Sequence, residues 1–101
     1  MYKPLPKELT LGESEIHDIG LFTTDKLIGG ANLGTSHIEL GKMIIRTPLG
    51  GFINHSNTPN CEKIELHPNG EEPFKKKWNL MTTQDIKKGE EITLRYTFYT
   101  V

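Results

Sequence analysis

Apolar residues along this 101-residue chain fall in short runs broken by glycines and prolines, and helical periodicity is nearly absent. That pattern predicts an all-β chain with short strands over 8–11, 20–24, 33–40, 43–46, 61–67, 76–83 and 91–98. The last of these alternates most cleanly. Ile92, Leu94, Tyr96 and Phe98 point one way, and Thr93, Arg95 and Thr97 the other, which puts Tyr96 on the face expected to be buried. His67-Pro68-Asn69-Gly70 predicts a hairpin between the sixties and the late seventies, because Asn and Gly both accept the positive φ of a tight turn.

A faint internal repeat adds to this picture. "FTTDKLIGGANL" (22–33) aligns with "MTTQDIKKGEEI" (81–92): an apolar residue and two threonines, then an aliphatic residue (Leu27, Ile86), a glycine (Gly30, Gly89) and another aliphatic (Leu33, Ile92). Two similar strand-turn-strand units are therefore expected, one on each side of the stretch around Asn54, with the glycine giving the backbone the freedom it needs before the next strand.

Composition narrows the class. The length suits one domain over 1–101. Apolar residues at 35%, charged residues at 25% and a formal net charge of -1 describe a soluble globular chain and give no sign of a nucleic-acid or membrane partner. The basic run Lys75-Lys76-Lys77 is answered by Glu71 and Glu72, so it reads as a solvated edge. Cys61 is the only cysteine, which excludes a disulfide and a cysteine-rich zinc site within one chain, and the four histidines are too scattered for metal-ligand spacing. With no charged-then-apolar leader and no long apolar run, the expectation is an intracellular protein, with cytoplasm and nucleus not distinguished.

The densest chemistry lies in "GGFINHSNTPNC" (50–61). Together with "HDIGLFTT" (17–24) and "DIKKGEEITLRYTFY" (85–99), in that order and spacing, it resembles the SET-domain protein lysine methyltransferases over nearly the whole chain from Glu13 onward. The resemblance implies a mainly β, β-clip fold of small twisted sheets, with a C-terminal segment that forms a pseudoknot beside Asn54-His55-Ser56. It also implies S-adenosyl-L-methionine (AdoMet) as the methyl donor and a lysine-containing protein, a histone first among them, as substrate. Residue by residue, it assigns Gly20, Leu21 and Phe22 to main-chain contact with AdoMet and Asn54 and His55 to further cofactor contact. Tyr96 falls on the catalytic tyrosine, and Phe98 and Tyr99 on the walls of the lysine channel. Phe52 and Ile53 are expected to enter the core, and Pro59-Asn60 to turn the chain outward.

Several residues have plainer readings. His55 could anchor a turn, Asn54 could cap backbone groups, and Tyr96 could simply pack with its hydroxyl bonded once. Cys61 reads as a small buried hydrophobe, Trp78 as core, and His17 and His37 as structural or surface residues. The chain also departs from the family's pattern. Asp18 stands where a first glycine is common, in a turn that Asp tolerates better than most residues. Asn57 stands where many relatives carry a zinc-binding cysteine, so no metal is expected. The insert usually found before the Asn-His-Ser segment is missing, which leaves an open groove, one completed by a second copy of the chain, or one completed by a partner protein. The competing function is a degenerate SET-like scaffold that binds a protein without chemistry.

Overall fold

The structure, a computed structural model, describes residues 5–66 and 76–95. Tyr96, Phe98, Tyr99 and the His67-Pro68-Asn69-Gly70 turn lie outside the described residues. Among the described residues, eight strands and one short helix follow in order: β1 (Leu9–Glu13), β2 (Ile19–Thr23), β3 (Asn32–Leu40), β4 (Met43–Arg46), α1 (Pro48–Phe52), β5 (Asn54–His55), β6 (Cys61–Leu66), β7 (Lys76–Thr82) and β8 (Glu91–Leu94). Strands stand at each of the expected places, most with ends shifted by one or two residues; the strand expected over 91–98 ends at Leu94, and its positions 96–98, like position 67, lie outside the described residues.

They form two four-stranded sheets, ordered β1-β2-β8-β5 and β4-β3-β7-β6. Pairing is antiparallel except between β5 and β8, where Asn54 lies beside Thr93 and His55 beside Leu94 in parallel. Leu21, Leu27, Leu33, Leu49, Ile53, Leu80, Ile86, Ile92 and Leu94 form the body of one core shared by both sheets.

The internal repeat is visible in the hydrogen bonds. Leu27 and Ile86 form a reciprocal bridge, N–H to carbonyl in both directions at 2.8 and 2.9 Å. Gly30 donates to the Thr82 carbonyl, and its counterpart Gly89 donates to that of Thr23. Thr23 donates its N–H to Glu90, and Thr82 to Ala31. Both glycines have φ of +88°, the left-handed region where a side chain is strained. The two units thus complete each other about a local two-fold relation, which also explains why β2 pairs with β8 while β3 pairs with β7.

Helix α1 is the element that strand periodicity did not predict. Thr47 caps it, accepting from Gly50 N at 3.4 Å, and Pro48 opens it. Five residues are too few to hold helical form alone. Contact with β3 holds it instead: Thr47 Oγ1 donates to the Thr35 carbonyl at 2.7 Å, and Thr47 N donates to that of Ser36 at 3.0 Å. The helix then delivers Ile53, 2% exposed, into the core. Phe52, expected beside it, is exposed at 39%, because the helical turn carries its side chain away from the sheet.

Candidate cofactor site

Asn54 sits in the two-residue strand β5, buried, next to the central strand β8. Its Nδ2 faces four acceptors: the Glu91 carboxylate at 2.8 Å, Ser14 Oγ at 3.0 Å, and the carbonyls of His17 and Ile19 at 3.2 and 3.3 Å. Ser14 Oγ donates to Glu91, 2.8 Å from each carboxylate oxygen, and accepts from Ile16 N and His17 N. One hydroxyl therefore fastens the 14–18 loop, β5 and β8 together.

The loop closes with Ser14 N donating to the Asp18 carbonyl at 2.9 Å. Asp18 takes the positive φ of the position, +34°, and is the only described non-glycine residue to do so. Its side chain, 85% exposed, has a carboxylate oxygen 3.7 Å from His17 Nε2 and turns toward solvent. Gly20 is required for a reason the sequence did not show. A Cβ there would lie 2.3 Å from a Glu91 carboxylate oxygen and 2.9 Å from Asn54 Nδ2, so this glycine makes room for the polar cluster. Leu21 is fully buried and has only its main chain to offer a ligand, while Phe22 lies against Gly12, where a Cβ would come within 2.9 Å of the ring.

Further along, His55 is half-buried, with Nε2 3.2 Å from Asn57 Oδ1. The Asn57 carbonyl accepts from Arg95 Nη2 at 2.7 Å. Ser56 N donates to the Leu94 carbonyl at 3.1 Å, so the last described turn of β8 is held from the Asn54-His55-Ser56 side. A cleft of about 400 Å³ lies beside the 14–18 loop, lined by Glu13, Glu15, Ile16, Phe22, Gly89 and Glu91. A second, of about 420 Å³, is lined by Pro59, Trp78, Leu94 and Arg95 among others, next to the segment that leads to Tyr96.

A model of the SET domain matches residues 14–97. The chain belongs to the SET domain family. An Arabidopsis thaliana protein described as the histone-lysine N-methyltransferase ASHH2 is 42% identical over 53 residues, which make up 52% of this chain and 3% of that protein. The match therefore spans a small fraction of the relative's length. A crystal structure of a Plasmodium falciparum protein, provisionally described as a histone methyltransferase, superimposes with a TM-score of 0.71 over 94% of this chain and 97% of its own, at 17% identity. It shows the same fold.

Within this SET domain the structure adds three residues to those read from the sequence. Ser14 and Glu91 build the polar cluster around Asn54. Asn60, expected to turn the chain outward, is instead buried at 8% exposure: its Nδ2 donates to the Glu91 carbonyl at 2.8 Å, and its Oδ1 accepts from Thr93 N at 2.9 Å. A side chain here does the work of a neighbouring strand's backbone. It also changes the expected two-faced β8, since Thr93 is buried as well as Ile92 and Leu94, with its hydroxyl accepting from Asn60 N. Cys61 and Trp78 are buried as expected. His17 is at the surface, while His37 is buried in β3. No group of three or more potential metal ligands occurs among the described residues, and no helix among them is long and apolar enough to cross a membrane.

Proposed function

We propose that this SET domain transfers a methyl group from AdoMet to a lysine side chain of a protein, with Gly20, Leu21, Phe22, Asn54 and His55 on the cofactor side and Tyr96 at the point of transfer. The supporting observation is the meeting of the 14–20 hairpin, β5 and β8 in one polar cluster around Asn54. Its carboxylate and main-chain carbonyls suit the cationic, hydrogen-bond-donating amino-acid end of AdoMet. When bound, the cofactor supplies an electrophilic sulfonium methyl.

The protein's own task is to present a neutral amine in line with that methyl. Deprotonating a lysine at pH 7 costs about 4.6 kcal/mol, and an apolar channel lowers that cost by disfavouring the ammonium form. Phe98 and Tyr99 are proposed as walls of that channel. Tyr96 need not act as a strong base; a hydrogen bond from the amine to its hydroxyl would orient the nucleophile, and orientation of this kind is worth several kcal/mol. Because Leu94 is pinned by β5 and Ser56, Tyr96 follows two residues after a fixed point. The names of the relatives suggest histone as substrate, and a second copy of the chain would complete the groove that the missing insert leaves open.

The test is Tyr96→Phe, with radiolabelled methyl transfer to a histone mixture and calorimetric binding of S-adenosylhomocysteine read side by side. Transfer should fall about 100-fold or more while the binding constant stays within about 3-fold. Equal losses in both would overturn the role given to Tyr96, and no nucleoside binding by the wild-type protein would overturn the proposal as a whole.

A further inference from the structure

We propose that Lys63 accepts a methyl group from AdoMet bound in the same chain, so that the protein is its own substrate at this position; the donor and the transfer point at Tyr96 rest on the reading above. The register of the second sheet puts this lysine in an unusual place. Lys63 lies directly opposite Leu80, which is fully buried, and residues paired in this way share a face of the sheet. Cys61, two positions earlier and on the same face, is buried as well. Lysine is among the residues least often turned to a core. Lys63 nevertheless stands half-buried on the inner side of β6.

That side opens into the cleft of about 420 Å³ beside the end of β8. Lys63 lines it together with Pro59, Cys61, Trp78, Leu94 and Arg95, and no other described lysine does. Leu94 is fixed by β5 and by Ser56. Two residues of chain span at most about 7 Å, so Tyr96 follows within that distance of the cleft wall, and an extended lysine side chain itself reaches roughly 6 Å. Burial also lowers the pKa of Lys63, which brings the neutral amine within easier reach. In the transfer the ammonium first gives its proton to solvent. The Nζ lone pair then bonds to the sulfonium methyl carbon as the carbon–sulfur bond breaks, and the bonding pair leaves on the sulfur of S-adenosylhomocysteine. The methylated ammonium takes up the positive charge that sulfur loses. Because the lysine sits on the inner side of its own sheet, transfer within one chain is favoured over transfer between two.

The wild-type protein is incubated with radiolabelled AdoMet and no other protein, then digested and mapped by mass spectrometry. The methyl group should fall on Lys63, and the fraction of chains labelled per minute should stay constant when the protein is diluted about 10-fold, as for an intramolecular reaction. Lys63→Arg should lower self-labelling by about 10-fold or more while calorimetric binding of S-adenosylhomocysteine stays within about 3-fold of wild type. A second readout involves no turnover: saturating the wild-type protein with S-adenosylhomocysteine should shift the ε-methylene resonances of Lys63. Label on a different lysine, a rate per chain that falls on dilution, or Lys63 resonances that stay still would overturn the proposal. Binding of S-adenosylhomocysteine with no methyl on Lys63 would overturn it too and leave the AdoMet reading standing. No binding at all would refute that reading and this proposal with it.

Discussion

Gly50 and Gly51 are neighbours in the same helical turn, yet adding one methyl group to each should have opposite effects. At Gly50 a Cβ would lie 2.2 Å from the Ser36 carbonyl oxygen, 3.0 Å from its carbon and 3.1 Å from His37 Cε1. The first two are backbone atoms of β3 and cannot swing aside. Relief requires α1 to lift by roughly 1 Å or more to reach ordinary contact, and that strains the Thr47 hydrogen bonds to Thr35 and Ser36. Overpacking costs about 1–3 kcal/mol, and each weakened hydrogen bond about 1 kcal/mol more. Alanine's helical advantage over glycine returns about 1 kcal/mol. Gly50→Ala should therefore destabilise the fold by roughly 2–4 kcal/mol, lowering the urea midpoint by about 1–2 M. At Gly51 a Cβ meets nothing within 4 Å, so Gly51→Ala should stabilise by about 0.5–1 kcal/mol. Urea unfolding of both variants, with unchanged slope, is the assay. Effects of the same sign, or a Gly50→Ala midpoint equal to wild type, would refute the docking of α1 on β3 as described.

Two further outcomes are expected. Burial, with Lys63 and Arg46 nearby, lowers the pKa of His37 from 6.5 to about 4. The unfolded chain then binds a proton that the folded one refuses, so stability should fall as pH drops from about 6.5 towards 4, by up to about 3 kcal/mol from this group; if His37→Gln lost stability as steeply over that range, the assignment would fail. Burial also pushes the Cys61 thiol up to about 12, leaving about one thiolate in ten thousand at pH 8. Ellman's reagent should label it only after denaturation, and rapid labelling of the native protein would contradict its burial.

The strands were legible because short apolar runs end at glycines and prolines, and the repeat because Thr-Thr and glycine recur at matching steps. Asn54 was legible as part of a motif. What escaped was held by contacts between residues far apart in the chain. Ser14 and Glu91 meet across 77 positions, and nothing local marks either one. Asn60 hides its role because a carboxamide that replaces a strand looks in sequence like any turn residue. Helix α1 escaped because five residues with two adjacent glycines show no helical periodicity, although Thr47-Pro48 carries a cap and an opening proline. The glycine at position 20 was noticed, but its cause lay in the side chains it admits.

The place of β8 between β2 and β5 has a consequence for how the molecule is made. A ribosome finishes β8 after both strands that flank it, so the first sheet has a gap at its centre until β8 is synthesised. Pairings this distant in sequence form slowly and leave apolar edges bare meanwhile. Glu91 arrives on that same strand. The polar cluster around Asn54 and the closure of the sheet are therefore one event, and a nascent chain acquires its candidate binding site only when β8 enters the first sheet.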